Sequence, residues 1–202
     1  MIEIPFTEES RLDLIKLAIS KVNANSYLEI GCFKDKIFSK IDVAYKIGVD
    51  PERGGNCRMT SDEFFKKNTD TFDVVFIDGL HHYDQVSRDF ENSLKSLNSN
   101  GIIILHDMLP KTEAEAIVPI PEKLPHTWVG DVWRLAFDLR KRKDIDFKLI
   151  LIDNGCGIVF NKPNTELNLK NFIDTGNTWE FYSNNWKKLP LTTFEQIRKE
   201  LS

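Results

Sequence analysis

FDVVFIDGLHHYDQVSRDFENSLKSLNSNGIIILHD, residues 72–107, decides how this chain folds. It opens on FDVVFIDG, the most strongly apolar run in the sequence, with the β-branched and aromatic content of a strand covered on both faces. Tyr83, Val86, Phe90, Leu94 and Leu97 then fall three or four apart, which is helical spacing. A polar turn, LNSNG at 97–101, leads into a second buried run, GIIILHD at 101–107. Strand, helix and strand in this order form a βαβ unit, whose strands lie parallel across a right-handed crossover.

The same alternation extends in both directions. Upstream, Leu12, Ile15, Ile19 and Val22 mark an amphipathic helix that Thr7 or Ser10 can cap. SYLEIG at 26–31 reads as a buried strand, KDKIFSKI at 34–41 as a short helix, and VAYKIGVD at 43–50 as a second strand stopped by Pro51, Gly54 and Gly55. Downstream, Pro110 to Pro125 holds four of the eight prolines and reads as an irregular loop. Asp131 then caps a helix through Trp133, Ala136, Phe137 and Arg140, with Arg140 to Lys143 as its solvated end. FKLILIDNGCGIVFNK at 147–162 places strand-like runs on either side of Asn154-Gly155, a two-residue hairpin signal. The fold expected is α/β, doubly wound, with a mostly parallel seven-stranded sheet that ends in an antiparallel hairpin. Residues 1–162 make the main domain. Residues 163–202 form a C-terminal extension packed on it, with two short helices and the aromatics Phe172, Trp179, Phe181, Tyr182 and Trp186.

Composition narrows the function. With 202 residues, 41% hydrophobic and 29% charged, the chain is of the size and balance of one globular domain. A net charge of −4 argues against nucleic acid, whose phosphates need clustered Lys and Arg. Cys32, Cys57 and Cys156 show neither a disulfide framework nor zinc-ligand spacing. The acids of MIEIPFTEES are unlike a signal peptide, and no apolar run has the length of a membrane span. The expectation is a cytoplasmic protein that acts on a small molecule, without nucleic acid or membrane partners and compatible with homo-oligomerisation.

Glu29 and Gly31 stand at the carboxyl end of the first strand, where open α/β sheets bind ligands. Asp50 ends the second strand roughly 20 residues later, the spacing at which an acid accepts hydrogen bonds from ribose hydroxyls. Together they point to a nucleoside-like ligand. Three of the four histidines, His81, His82 and His106, lie with Asp78 and Asp107 at the ends of the next two strands. His82 reads as a solvated residue at a helix start, His126 as structural or exposed, and Trp133 as core. Core packing or subunit contact is the commoner role for the C-terminal aromatics, ahead of stacking on an acceptor.

YLEIGCF (27–33), KIGVDPERGG (46–55), MTSDEFF (59–65), FDVVFIDGLHHYDQVSRDF (72–90) and NGIIILHDMLP (100–110) resemble, in order, the successive motifs of class I S-adenosylmethionine-dependent methyltransferases. They look most like a bacterial branch with small-molecule and sugar O-methyltransferase relatives, and GDVW at 130–133 fits it too. The resemblance spans residues 10 to 160 and implies a Rossmann-like methyltransferase fold with S-adenosylmethionine as cofactor. By its pattern Glu29, Gly31 and Cys32 line the methionine side, Asp50 holds the ribose, Ser61 or Asp62 lies near adenine, and Asp78 faces the methionine or a metal. The sequence departs at Asp35 and Ile37, where relatives often have Gly and Ser or Thr; the extra carboxylate and less permissive turn are expected to weaken cofactor contacts.

Methylation of an oxygen requires the acceptor hydroxyl to lose its proton as it attacks. His81, His106 and Asp107 are the candidates to take it, with Asp78 in support. Asp78 and Asp107 are also candidate ligands for a hard divalent cation such as magnesium. The next residue is Met108, which cannot ligate such a cation, whereas relatives have Asn or Asp there. Two other readings remain. One is a catalytically silent methyltransferase-fold binding or assembly module; the other is an NAD-dependent oxidoreductase, for which EIGCFKD lacks the GxGxxG glycines.

Overall fold

The computed structural model describes residues 1–123, 127–165 and 176–201. Helix α1 (Arg11–Val22) precedes β1 (Ser26–Ile30) and β2 (Tyr45–Val49); α2 (Ser61–Lys67), β3 (Phe72–Ile77), α3 (Tyr83–Lys95) and β4 (Leu97–Leu105) follow. Then come α4 (Trp133–Leu139), β5 (Asp146–Ile150), β6 (Cys156–Phe160), α5 (Trp179–Asn185), β7 (Leu191–Thr192) and α6 (Phe194–Leu201). One seven-stranded sheet runs β2-β1-β3-β4-β6-β5-β7. Only β6 runs against the rest, because β4 and β5 both pair with it antiparallel. The doubly wound, mostly parallel sheet expected is the one observed.

Two-residue periodicity splits the core into two layers. Leu28, Ile30, Val75, Ile77, Ile103 and Leu105 face one side and pack with Phe90 of α3, Trp133 and Phe137 of α4, and Tyr182 of α5. Tyr27, Val74, Phe76, Ile102 and Ile104 face the other and meet Leu14, Ile15 and Ala18 of α1 with Ile197 and Leu201 of α6. Among the described residues, no helix is long and apolar enough to cross a membrane.

Of the two caps expected for α1, Ser10 is the one used: the Asp13 carboxylate accepts from its N–H (2.9 Å) and hydroxyl (2.7 Å). Local expectations are corrected at four points. Residues 97–100 are strand rather than turn. Leu97 is buried and pairs with Phe72, a register shift before Val74 absorbs the extra residues, and Asn98 ties to Asp73 at 2.6 Å. Asp131 does not cap α4; its carboxylate accepts the N–H of Tyr83, the first residue of α3, at 2.6 Å and pairs with Arg134. The β5–β6 link is longer than Asn154-Gly155, since Ile150 is opposite Cys156. Ile152 leaves the hairpin to bridge Thr7, and the chain turns back through Asp153, Asn154 and Gly155 in left-handed conformation, with φ of 39°, 60° and 87°. KDKIFSKI contributes only a 3₁₀ turn at Phe38–Lys40.

Candidate functional site

The parallel strands β1 to β4 end together, and a cavity of about 850 Å³ opens above their carboxyl ends. Glu29, Gly31, Cys32, Asp50, Ser61, Asp62, Asp78, His81, His106 and Asp107 all line it, so the fold gathers every sequence-selected site residue into one place. His82 lies outside this lining, and His126 lies outside the described residues.

The first half is built on β1 and β2. Gly31 has φ 88°, and a Cβ there would lie 2.2 Å from the Asp78 carbonyl oxygen, so the ends of β1 and β3 approach as closely as backbone allows. Tyr27 and Glu29 share a face of β1, and the buried Tyr27 hydroxyl donates to Glu29 Oε2 at 2.6 Å. Burial pushes the Glu29 carboxyl up to about 7. The Cys32 thiol is also raised, chiefly by burial. Asp50 accepts three backbone N–H groups, from Phe33, Glu52 and Arg53, each at 2.9 Å. Burial works to raise its pKa, but these donors and Arg58 outweigh it and keep Asp50 an anion.

The turn after Gly31 is braced at one of its departures. Asp35 adopts φ 56°, a left-handed conformation that aspartate tolerates. Its Oδ1 accepts the Gly55 N–H at 2.6 Å, so the added carboxylate braces the turn against the β2 loop.

The second half is a charged cluster at the ends of β3 and β4. His81 Nε2 lies 3.2 Å from Asp107 Oδ2 and 3.5 Å from Asp78 Oδ1. Its Nδ1 donates to the Trp128 carbonyl at 3.1 Å, and the imidazole stacks on the Trp128 ring, with centroids 5.1 Å apart. Burial favours the neutral ring, yet the Asp78 hydrogen bond and the Asp107 charge prevail and raise its pKa. Asp107 itself has φ 61°, a strained geometry for a side-chain-bearing residue, and Asn154 Nδ2 steadies its carboxylate at 3.1 Å. For Asp78, burial is opposed by the adjoining His106 and His81 rings, which hold it ionised.

His106 is enclosed. Its Nδ1 is 3.2 Å from both Asp78 Oδ1 and Asp107 Oδ1, and those carboxylates draw a proton onto it against the effect of burial. On the other edge, Arg11 Nη1 approaches Nε2 at 2.8 Å. Two N–H groups cannot face each other at that distance, so the Arg11 contact asks Nε2 to accept while the carboxylates favour the imidazolium; in both forms Nδ1 carries a proton. Met108 points away, fully buried in the core.

Several participants carried no clear sequence signal. Arg11 is the first residue of α1, and Asp153 belongs to the β5–β6 turn; both reach His106 from distant parts of the chain. Gln85 of α3 donates to Ser61 Oγ (3.1 Å), Asp62 Oδ1 (3.2 Å) and Asp89 Oδ1 (3.0 Å), and burial raises the pKa of Asp89. An acid at the edge of the apolar stripe Val86–Phe90 was the available hint. The aromatics Trp179, Phe181 and Tyr182 pack with Trp133 and Phe137 in the core, away from the cavity, and Phe172 lies outside the described residues.

Comparison with known proteins bears on the fold. Residues 50–108, which run from the Asp50 loop to the end of the charged cluster, match a family model described as a methyltransferase domain. No curated protein sequence matches the chain. Among solved structures, a Staphylococcus aureus protein named as a caffeoyl-CoA O-methyltransferase is 21% identical, with 78% of this chain and 86% of that one covered and a TM-score of 0.56. The O-methyltransferase TomG of Streptomyces achromogenes, solved with S-adenosylmethionine, is 17% identical over 75% of this chain and 78% of its own, with a TM-score of 0.54. An O-methyltransferase from Bacillus cereus, solved with S-adenosylhomocysteine, is 14% identical over 79% and 84%, with a TM-score of 0.52. The matched segment and the sheet together place this chain among proteins of the class I S-adenosylmethionine-dependent methyltransferase fold.

Proposed function

We propose that the chain is an S-adenosylmethionine-dependent methyltransferase that methylates a hydroxyl oxygen of a small molecule or sugar. The observation that carries this reading is the shared cavity: a nucleoside-type half at Glu29, Gly31 and Asp50 faces an acid–imidazole cluster at Asp78, His81 and Asp107. The donor set suits the cofactor. Asp78, held ionised, matches a ligand end that carries a sulfonium and an ammonium, Glu29 can accept a hydrogen bond from that ammonium, and Asp50 matches a ribose diol. When bound, S-adenosylmethionine supplies an electrophilic methyl group open to in-line attack by oxygen.

The chain's own task is to place and deprotonate the acceptor hydroxyl. Nδ1–H is committed to the Trp128 carbonyl, so Nε2, which lies between the Asp78 and Asp107 carboxylates, is the nitrogen that loses its proton when His81 becomes neutral. Nε2 takes the hydroxyl proton, and Asp107 and Asp78 stabilise the imidazolium that forms, as a carboxylate does for a catalytic imidazole elsewhere. His106, with both ring nitrogens engaged, positions these two carboxylates. The cluster also fits a divalent cation, because one ligand atom each from Asp78, His81 and Asp107 lie within 4.8 Å of one another. There such an ion would supply Lewis acidity toward the acceptor oxygen. Met108, buried beneath, would not take part.

Isothermal titration with S-adenosylmethionine, S-adenosylhomocysteine and NAD tests the reading. Binding of the two methionine nucleosides without NAD is expected. Binding of NAD alone would turn the reading to an oxidoreductase, and binding of none to a silent module. Methyl transfer that survives exhaustive chelation would argue against the cation.

A further inference from the structure

His81 belongs to no regular element: residues 78–82 lie between the end of β3 and the start of α3. The His82 N–H donates to the Leu80 carbonyl at 2.8 Å, a tight turn with His81 at its apex, and His82 supplies no side-chain cap to α3. Such a turn projects an imidazole without fixing it. What holds it comes from residues 128–131. Gly130 lies against the His81 carbonyl at φ 61°, and a Cβ there would be 1.8 Å from that oxygen, so only glycine fits. Beside it the Trp128 carbonyl and ring engage the imidazole, and Trp128 Nε1–H donates to the Ile117 carbonyl at 2.8 Å, which fixes the indole.

Asp131 closes this contact. Its Oδ1 accepts the Tyr83 N–H at 2.6 Å, from 48 residues along the chain, and its Oδ2 pairs at 2.9 Å with Arg134, whose guanidinium covers the Tyr83 ring at 4.0 Å. The segment is also tied to the chain that leaves β4. Val129 and Gly130 both donate their N–H to the Glu115 carbonyl, at 2.9 and 3.0 Å, and the Glu115 carboxylate accepts the Lys111 N–H at 2.6 Å. Residues 128–131 thus bridge the loop of His81 and the chain that follows Asp107. A carboxylate that merely capped α3 would need neither the Gly130 contact nor the Trp128 stack. Asp131 itself lies outside the cavity lining. We infer that Asp131 is a positioning residue, which by holding the Tyr83 N–H keeps Gly130 and Trp128 on His81 and sets its imidazole against Asp107. The inference rests on the methyltransferase reading, which makes His81 the base.

The test reads the His81 ring directly, by NMR of the chain labelled with nitrogen-15 histidine. The Nδ1–H signal of His81, assigned by its loss in His81→Gln, should exchange slowly with water in the unaltered chain. Asp131→Ala should speed that exchange roughly ten- to a hundred-fold, the factor for one hydrogen bond to a charged acceptor. Asp131→Asn, which keeps an oxygen for the Tyr83 N–H, should stay close to the unaltered rate, and S-adenosylhomocysteine affinity by calorimetry should be unchanged in both. Thr178→Ala separates positioning from general loosening: it removes the α5 cap, where the Thr178 hydroxyl accepts the Phe181 N–H at 3.1 Å, and should leave the His81 signal as it was. An unchanged rate in Asp131→Ala, an equal rise in Thr178→Ala, or a parallel loss of nucleoside affinity overturns the inference. If Asp131→Ala shows no cooperative melt, Arg134→Met decides: it removes the partner that orients Asp131 and should raise the exchange rate, and an unchanged rate overturns the inference. Failure of the unaltered chain to bind S-adenosylhomocysteine would instead overturn the methyltransferase reading beneath it.

Discussion

At the residue scale, the site depends on single protons held in place by specific neighbours. His81→Ala removes the group assigned to take the acceptor proton but no contact on the Glu29–Asp50 side. S-adenosylhomocysteine affinity should stay largely intact while methyl transfer slows by roughly two to four orders of magnitude, the range for a positioned base. Titration calorimetry and single-turnover assays measure the two quantities separately. Because Asp78 and Asp107 raise the His81 pKa, the rising limb of the pH–rate profile should lie above the ordinary histidine value. Glu29 makes a different prediction. Burial raises its folded pKa from 4.5 to about 7, so the folded state favours the protonated acid. Its stabilising contribution is fully present below the unfolded pKa and is lost as pH rises through 7. Glu29→Gln should therefore match the parent near pH 4 and exceed it in stability at pH 8 by up to roughly 3 kcal/mol in denaturant titrations. An advantage that instead grew as pH fell would show that Glu29 is not held protonated.

At the element scale, strand ends decide how tightly the two halves of the cavity meet. Gly31 closes β1 against β3 with φ 88°, and a Cβ placed there would sit 2.2 Å from the Asp78 carbonyl oxygen. Gly31→Ala must both strain the backbone and push the two ends apart, at a cost of roughly 3 kcal/mol or more. A fall of about 10 °C in melting temperature is expected in this size range. Nucleoside affinity should drop with it, since Asp78 moves; an unchanged melt would mean that the strand ends are not in contact. This glycine, the strands around it and α3 were legible in the sequence because their signals are local. An apolar run, a helical period and a glycine at a strand end are each complete within a few residues. What escaped was set by pairing across distance. The register shift that makes 97–100 strand depends on Phe72, the long β5–β6 link depends on the bridge from Ile152 to Thr7, and Asp131 serves α3 rather than its own helix. Arg11 escaped for the same reason, since an arginine in the first turn of a helix looks solvated until His106 and Asp153 arrive beside it.

At the scale of the whole molecule, the question is whether residues 163–202 are an attachment or part of the fold. The sequence shows their aromatic content and two short helices but not their partners, which lie far away in the chain. In the structure Tyr182 is fully buried, its hydroxyl donating to the Pro110 carbonyl at 3.0 Å, and it packs on Trp133. Ile197 and Leu201 of α6 are buried in the layer that holds α1 against the sheet. β7 pairs with β5, where Leu149 donates to Pro190 at 2.9 Å and Leu151 to Thr192 at 3.0 Å. Removal of the segment would uncover apolar faces of α1 and α4 together and leave β5 as an open edge, which invites pairing with other chains. Residues 1–162 alone should therefore run as aggregate on size-exclusion chromatography and show no cooperative melt, whereas the 202-residue chain should give one transition. A truncated chain that stayed soluble, melted cooperatively and bound S-adenosylhomocysteine would show that the cavity and its sheet fold without the C-terminal layer.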